Sequence, residues 1–141
     1  MNIEHVRQRI LSSDSLSATL GIQFLSTPEP DEWVALMNAD QRLCQPFGFL
    51  SGGALAALAE TLAGVASLSL CPDAAPVGIS VAASHLRPVS RGTSVRAVAR
   101  IIHRGRSHHS FLVSIFNQHD TCVSSIQVTN CIIPNPAHKD A

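Results

Sequence analysis

Glu60 is the single charged residue between Pro46 and Cys71, a stretch otherwise built from apolar and small side chains. Placed on a helix at about 100° per residue, Leu55, Leu58, Leu62 and Val65 form one bulky stripe suited to packing on a sheet. Glu60 falls almost opposite. Its neighbours one turn away are Ala56, Ala57, Ala63 and Gly64, and Ser67 follows two turns on. A solvent face would normally carry Lys, Glu and Gln, whereas a face this small lets a partner helix or a ligand come close. Two readings stand side by side. The acid can be structural, hydrogen-bonded across a subunit contact to fix its register. Alternatively the apolar surroundings are the point: water exclusion sharpens the reactivity of a carboxylate that attacks a carbonyl or activates a water.

The residues ahead of this helix favour the reactive reading. Gln45-Pro46-Phe47-Gly48-Phe49-Leu50-Ser51-Gly52-Gly53 places two glycines where the helix begins, leaving backbone N–H groups unobstructed at its partly positive end. Such a place can hold the oxyanion that develops when a carbonyl is attacked. A tight turn would also account for Gly-Gly alone, and spacing by itself does not put the glycines and Glu60 in one site.

The elements that must position these groups follow from pattern. Ile3–Leu11 reads as a short amphipathic helix, and Gly21–Ser26 and Trp33–Asn38 as two strands joined by a Pro-rich turn. Gln41–Gly53 is a loop, and Ala54–Leu70 is the one long run of helix formers, closed by Cys71-Pro72. Beyond Pro76 the period becomes two: Val77, Ile79, Val81 and Ala83 alternate with Gly78, Ser80, Ala82 and Ser84. Val95–Ile102, Phe111–Phe116 and Cys122–Ile133 are three further β-rich runs. The order implies an α+β domain, an antiparallel sheet packed on a central helix. A length of 141 residues suits one domain over 1–141, with an N-terminal helix and loop over 1–15 and a tail over 134–141.

Ten basic and ten acidic residues cancel, so net charge gives no reason to expect nucleic-acid binding. With only 14% charged residues, some apolar surface is expected to be covered by another subunit. The charge is unevenly spread: Ala74 to His119 holds no Asp or Glu, yet includes Arg87, Arg91, Arg96, Arg100, Arg104 and Arg106. That is a basic half-domain suited to a compact anionic ligand. Cys44, Cys71, Cys122 and Cys131 have no metal-like spacing and read as small buried residues in a reducing, cytoplasmic compartment. As a membrane span, the 46–71 segment would carry Glu60 near the bilayer centre at a cost of about 2.5–3.5 kcal/mol, so no membrane association is expected. His103, His108 and His109 lack nearby acids in the sequence, and no metal is expected there.

Gln45-Pro46-Phe47-Gly48 through Ala59-Glu60-Thr61 closely resembles the signature of bacterial hotdog-fold acyl-CoA thioesterases, in the branch of the proofreading and dihydroxynaphthoyl-CoA enzymes. The similarity runs on through Ser84-His85-Leu86-Arg87-Pro88-Val89 and the His103-Arg104-Gly105-Arg106-Ser107 turn, covering roughly Leu20 to Ile133. The resemblance implies a hotdog fold, a homotetramer built as a dimer of dimers, and active sites at the dimer interface, with a CoA thioester as substrate and no cofactor. In that family the acid matching Glu60 is nucleophile or general base, and the N–H matching Gly52 polarises the thioester carbonyl. The side chain matching Gln45 positions the reacting group, with Ser51 beside it. His85 matches a histidine near the acyl part, although from its place at a strand end it reads equally as a structural histidine. Phe47, Gly64 and Ser67 are the other expected acyl-side contacts. Arg87, His103, Arg104, Gly105, Arg106 and Ser107 fall where CoA phosphates would lie, in accord with the acid-free half-domain.

Two positions depart from the pattern. The family's His-Gly-Gly is here Ser51-Gly52-Gly53, and the Ser or Thr four residues after the acid is Gly64. The expectation is a slow thioesterase, or one whose substrate supplies the missing group; the rival readings are an acyl-CoA binding protein with weak or no hydrolysis, and a structural oligomer without a ligand. Removing one positioned polar group commonly costs on the order of 100-fold in rate. Ser51→His should therefore raise turnover, measured as thiol release from acyl-CoA; no change or a fall would give Ser51 some other role.

Overall fold

The structure is a computed structural model that describes residues 15–135, so the helix expected over Ile3–Leu11 and most of the C-terminal tail lie outside it. Helix α1 (Leu16–Leu20) leads into β1 (Gln23–Leu25) and β2 (Glu32–Asn38), and a 3-10 turn at Gln41–Leu43 precedes the long helix α2 (Gly52–Leu70). Then come β3 (Ala74–His85), β4 (Ser94–Arg104), β5 (His108–Phe116) and β6 (Cys122–Pro134). The six strands make one antiparallel sheet in the order β1-β2-β4-β5-β6-β3. The sheet curls around α2, which touches every strand from β2 to β6. This is the α+β hotdog architecture.

α2 is rich in Ala and Leu, and the two glycines expected to precede it form its first turn. It stops where Pro72 follows, with the Cys71 N–H closing on the Ser67 carbonyl at 2.9 Å. The bulky stripe Leu55, Leu58, Leu62 and Val65 is buried as expected. The small face is not the open groove that the helical wheel suggests. Ala59, Ala63, Ala66 and Ser67 have no exposed surface, because small side chains let the helix sink onto the sheet. Only a narrower strip containing Ala56, Ala57, Glu60, Thr61 and Gly64 stays at least partly open. α2 is also long and apolar enough to cross a membrane, with a mean hydropathy of 1.5, yet half of that stretch is buried inside the fold.

Trp33 and Phe111 meet edge-to-face at 5.7 Å in the core, and the indole N–H of Trp33 donates to Ser69 Oγ on α2 at 3.0 Å. In β5, His109, Phe111, Val113 and Ile115 point inward, and Val95, Ala97 and Ala99 do so in β4. The period-two reading of β3 meets a correction. Its pairing with β6 shifts between Gly78 and Ser80, a bulge. Gly78 therefore lies opposite Asn130, whereas Val81, Ala83 and His85 lie opposite Val128, Ile126 and Ser124. All four β6 partners are buried, so an even-numbered and three odd-numbered residues of β3 share the helix-facing side. As an edge strand, β3 leaves Val77, Ile79 and Val81 exposed.

A buried polar cluster ties α2 to this sheet. Asn130 Nδ2 donates to the Ala63 carbonyl at 3.1 Å and to Ser67 Oγ at 3.0 Å, and His109 Nδ1 lies 3.1 Å from the same hydroxyl. Burial, with the positive Arg104 and His103 nearby, holds the His109 imidazole below the ordinary histidine value. The folded protein keeps this ring neutral while the unfolded chain accepts a proton near 6.5. The unfolded state then binds more protons, so stability falls as the pH drops below that point and levels off under the folded value. His109→Gln should flatten this acid-side decline in denaturant midpoint; an unchanged slope would show that other groups cause it.

Candidate active site

Glu60 stands on the open strip of α2, exposed in the single chain. Its side chain leans over β3 into the space left by the missing side chain of Gly78: a β-carbon there would overlap Oε1 and come within 3.1 Å of Cδ. Gly78 is thus the seat of the acid. It carried no functional reading from sequence, although a glycine inside a strand marks close approach by another group.

The opposite end of the same strand serves the start of α2. A β-carbon on Gly52 would lie 2.8 Å from both Cδ2 and Nε2 of His85, so the imidazole covers Gly52. His85 Nδ1 sits 2.8 Å from the hydroxyl of buried Ser124. Among the described residues, no acceptor engages the N–H of Gly52 or Gly53, and the Ser51 hydroxyl makes no capping bond. Two donors at the partly positive end of a helix therefore face outward beside the imidazole.

Gln45 lies in the loop just before. Its carbonyl accepts from the Gly48 N–H at 3.1 Å, and Gly48 adopts φ +87°, a conformation that favours glycine. Its side-chain Oε1 accepts from the Phe47 N–H, which leaves the carboxamide NH2 available. The turn is fastened to the β3–β4 connection by the Leu50 N–H on the Val89 carbonyl at 2.8 Å and the Arg91 N–H on the Gly48 carbonyl at 3.1 Å. Phe47 projects with 84% of its surface exposed. Gly64, one turn beyond Glu60, has open space where a side chain would stand. Ser67, expected on the acyl side, is instead enclosed, its hydroxyl taken by Asn130 and His109.

The basic groups separate into two places. Arg104 ends β4 and Gly105, Arg106 and Ser107 form the β4–β5 turn, where the Gly105 N–H meets the His108 carbonyl at 2.8 Å and His103 lies against Gly105. The row Arg104–His109–Asn130–Gly78 across the sheet puts this turn at the Glu60 end. Arg87 follows His85 at the other end and donates to the Cys122 carbonyl at 3.4 Å. Among the described residues Arg87, Arg104 and Arg106 form no ion pair, whereas Arg96 pairs with Asp120 and Arg100 with Glu32. Those two paired arginines line an open groove of about 300 Å³ on the other face of the sheet, away from this chemistry. The four cysteines are unpaired and only partly buried.

The acid and the free amide do not meet within one chain. Eight residues of helix separate Gly52 from Glu60, a rise of ~12 Å, and their counterparts His85 and Gly78 on β3 are ~20 Å apart. The three glycines carry different constraints that melting experiments can separate. Gly64→Ala meets open space and replaces a poor helix former, so it should raise stability by roughly 0.5–1 kcal/mol. Gly52→Ala and Gly78→Ala push into His85 and Glu60 and should not share that gain; equal stabilisation by all three would contradict the close approaches.

Comparison with known proteins identifies the family. Residues 47–124 match the family model described as the thioesterase superfamily. A Bacillus subtilis protein carrying the name esterase ComA2 is 35% identical over 121 residues, spanning 84% of this chain and 94% of its own. The crystal structure of thioesterase HI1161 from Haemophilus influenzae superposes with a TM-score of 0.86 at 34% identity, over 99% of this chain and 95% of that one. The Staphylococcus aureus thioesterase SAV0944, 31% identical with a TM-score of 0.80 over 86% of this chain and all of its own, was solved with alanine in place of a glutamate. A second structure of it has alanine in place of a glutamine fifteen positions earlier. With the acid, the unengaged helix-start amides and the curled sheet in place, the chain belongs to the thioesterase superfamily and is a thioester hydrolase.

Proposed function

We propose that this protein hydrolyses acyl-CoA thioesters, with an aromatic or short- to medium-chain acyl group, at a site built from two copies of the chain. The observation that carries the proposal is the spacing of the two half-sites along β3, an edge strand of the sheet. Antiparallel pairing of β3 with its counterpart about Val81 and Ala82 would set Gly78 of one copy opposite His85 of the other. Glu60 would then come beside the Gly52 amide across the two-fold axis, and Arg87 would join the Arg104–Arg106 turn. The pairing would also bury the exposed Val77, Ile79 and Val81 and satisfy an edge that otherwise invites uncontrolled association.

In this reading the thioester oxygen accepts from the Gly52 N–H, and Gln45 uses its free carboxamide NH2 to hold the reacting group. Glu60 either attacks the carbonyl carbon, expelling the CoA thiolate and leaving a mixed anhydride that water then cleaves, or takes the proton of a water that attacks the carbonyl as the C–S bond breaks. Ser51 borders the amide, Phe47, His85 and Gly64 face the acyl group, and the unpaired arginines with His103, Gly105 and Ser107 take the CoA phosphates. The glutamine and glutamate replaced in SAV0944 have the spacing of Gln45 and Glu60, which supports these roles. Two such dimers make the proposed tetramer, working in the cytoplasm on a free small-molecule substrate without a cofactor.

A panel of aromatic and medium-chain acyl-CoAs, followed by thiol release, tests the proposal. Glu60→Gln should lower kcat by roughly 100- to 10,000-fold, and co-assembly of Glu60→Gln chains with Gln45→Ala chains should recover part of the loss through sites that take one intact half from each. Equal rates in parent and Glu60→Gln would remove the acid from the mechanism. Tight acyl-CoA binding without turnover in the parent would select the binding-protein reading instead.

A further inference from the structure

His85 stands directly opposite Ser124 in the β3–β6 pairing. Ser124 has no exposed surface, and its hydroxyl donates to the Ser84 carbonyl at 3.3 Å while lying 2.8 Å from His85 Nδ1. A hydroxyl has one proton to give. With that proton directed at Ser84, Ser124 Oγ can only accept from the imidazole, so His85 Nδ1 carries the ring hydrogen. Nε2 is then left with its lone pair, and Nε2 is one of the two ring atoms that cover Gly52. Among the described residues nothing else bonds to it.

We propose that Ser124 is a positioning residue that holds His85 in the Nδ1–H tautomer, so that an unprotonated Nε2 borders the helix-start amide. The tautomer stands on the hydrogen-bond geometry alone; its catalytic consequence rests on the thioesterase site proposed above. In that site the arrangement divides the labour cleanly. The Gly52 N–H is the donor to the thioester oxygen, and Nε2 is an acceptor for an O–H held beside it. In the reversed tautomer Nε2–H would compete with the amide for that oxygen, and the neighbouring O–H would lose its acceptor. Alanine would fit the Ser124 position by size, and His85 is open enough for water to replace the lost bond. The hydroxyl therefore serves the orientation of the ring more than the packing of the strand.

Ring-nitrogen NMR on histidine-labelled protein under alkaline conditions reads the tautomer directly. The parent should show a protonated Nδ1 and an unprotonated Nε2 for His85, Ser124→Ala should shift population toward Nε2–H, and Ser124→Thr, which restores a hydroxyl, should return the parent spectrum. On the same samples Ser124→Ala should lower kcat for acyl-CoA hydrolysis on the order of 10-fold with KM little changed, and Ser124→Thr should recover most of it. An Nε2–H ring in the parent, or shifts and kcat that ignore Ser124→Ala, would overturn the proposal. Absence of hydrolysis in every sample would refute the thioesterase site, while the spectra would still decide whether Ser124 sets the ring. If Thr proves too bulky to fold, Ser124→Cys, with its weak acceptor, should give a spectrum between parent and Ala.

Discussion

The close approach of α2 to the sheet is the constraint on which the other features depend. Ala59, Ala63 and Ala66 lie at zero exposure on the face turned to the strands. A leucine at any of them would hold the helix farther from the sheet. At this distance Ser67 is drawn into the interior as well, and a buried hydroxyl is costly unless it is bonded. Asn130 and His109 supply those bonds, one from each of two adjacent strands. The same depth brings the Glu60 carboxyl low enough to occupy the space over Gly78, so the position of the acid follows from the size of side chains elsewhere on its helix.

The bulge in β3 is the second device, and it works through the two-residue period of a strand. Without it, Gly78 and His85 would face opposite sides of the sheet, since their positions differ by an odd number. The register shift between Gly78 and Ser80 restores both to the helix-facing side. The glycine then receives Glu60, and the histidine reaches the helix start. The bulged strand is also an edge strand, with the apolar Val77, Ile79 and Val81 exposed along it. In the proposed dimer a single copy contributes two half-sites joined by this strand, which would account for a chain with so few charges leaving its acid uncovered when alone.

Electrostatics complete the arrangement. Arg96 and Arg100 have acidic partners on the outer face, whereas Arg87, Arg104 and Arg106 are left without any among the described residues. The acid-free run from Ala74 to His119 guarantees that no neighbour in sequence neutralises them. Among the described residues, Asp120 and Glu32, brought in by folding, meet Arg96 and Arg100 on the outer face. The unpaired cations, together with the uncapped amides of Gly52 and Gly53, make the helix side of the molecule receptive to anionic charge.

Much of this was legible in the residues. Strand and helix identities followed from period and composition, because a half-buried strand and an amphipathic helix each impose a repeat that chain order alone displays. Glu60 and the glycine pair announced themselves by type, an acid among alanines and two glycines at a helix start. Ser67 misled because a helical wheel gives angle without depth: it lies within about 20° of Glu60, yet one is enclosed and the other open. Gly78 signalled only that some group comes close, and Ser124 gave no signal, because their roles belong to the side chains that lean on them, from α2 and β3. Local sequence thus determined which groups exist and which element carries each, since those depend on short-range preferences. Folding alone decided which of them meet, because the bulge, the depth of the helix and the cross-strand pairing are set by contacts between residues far apart in the chain.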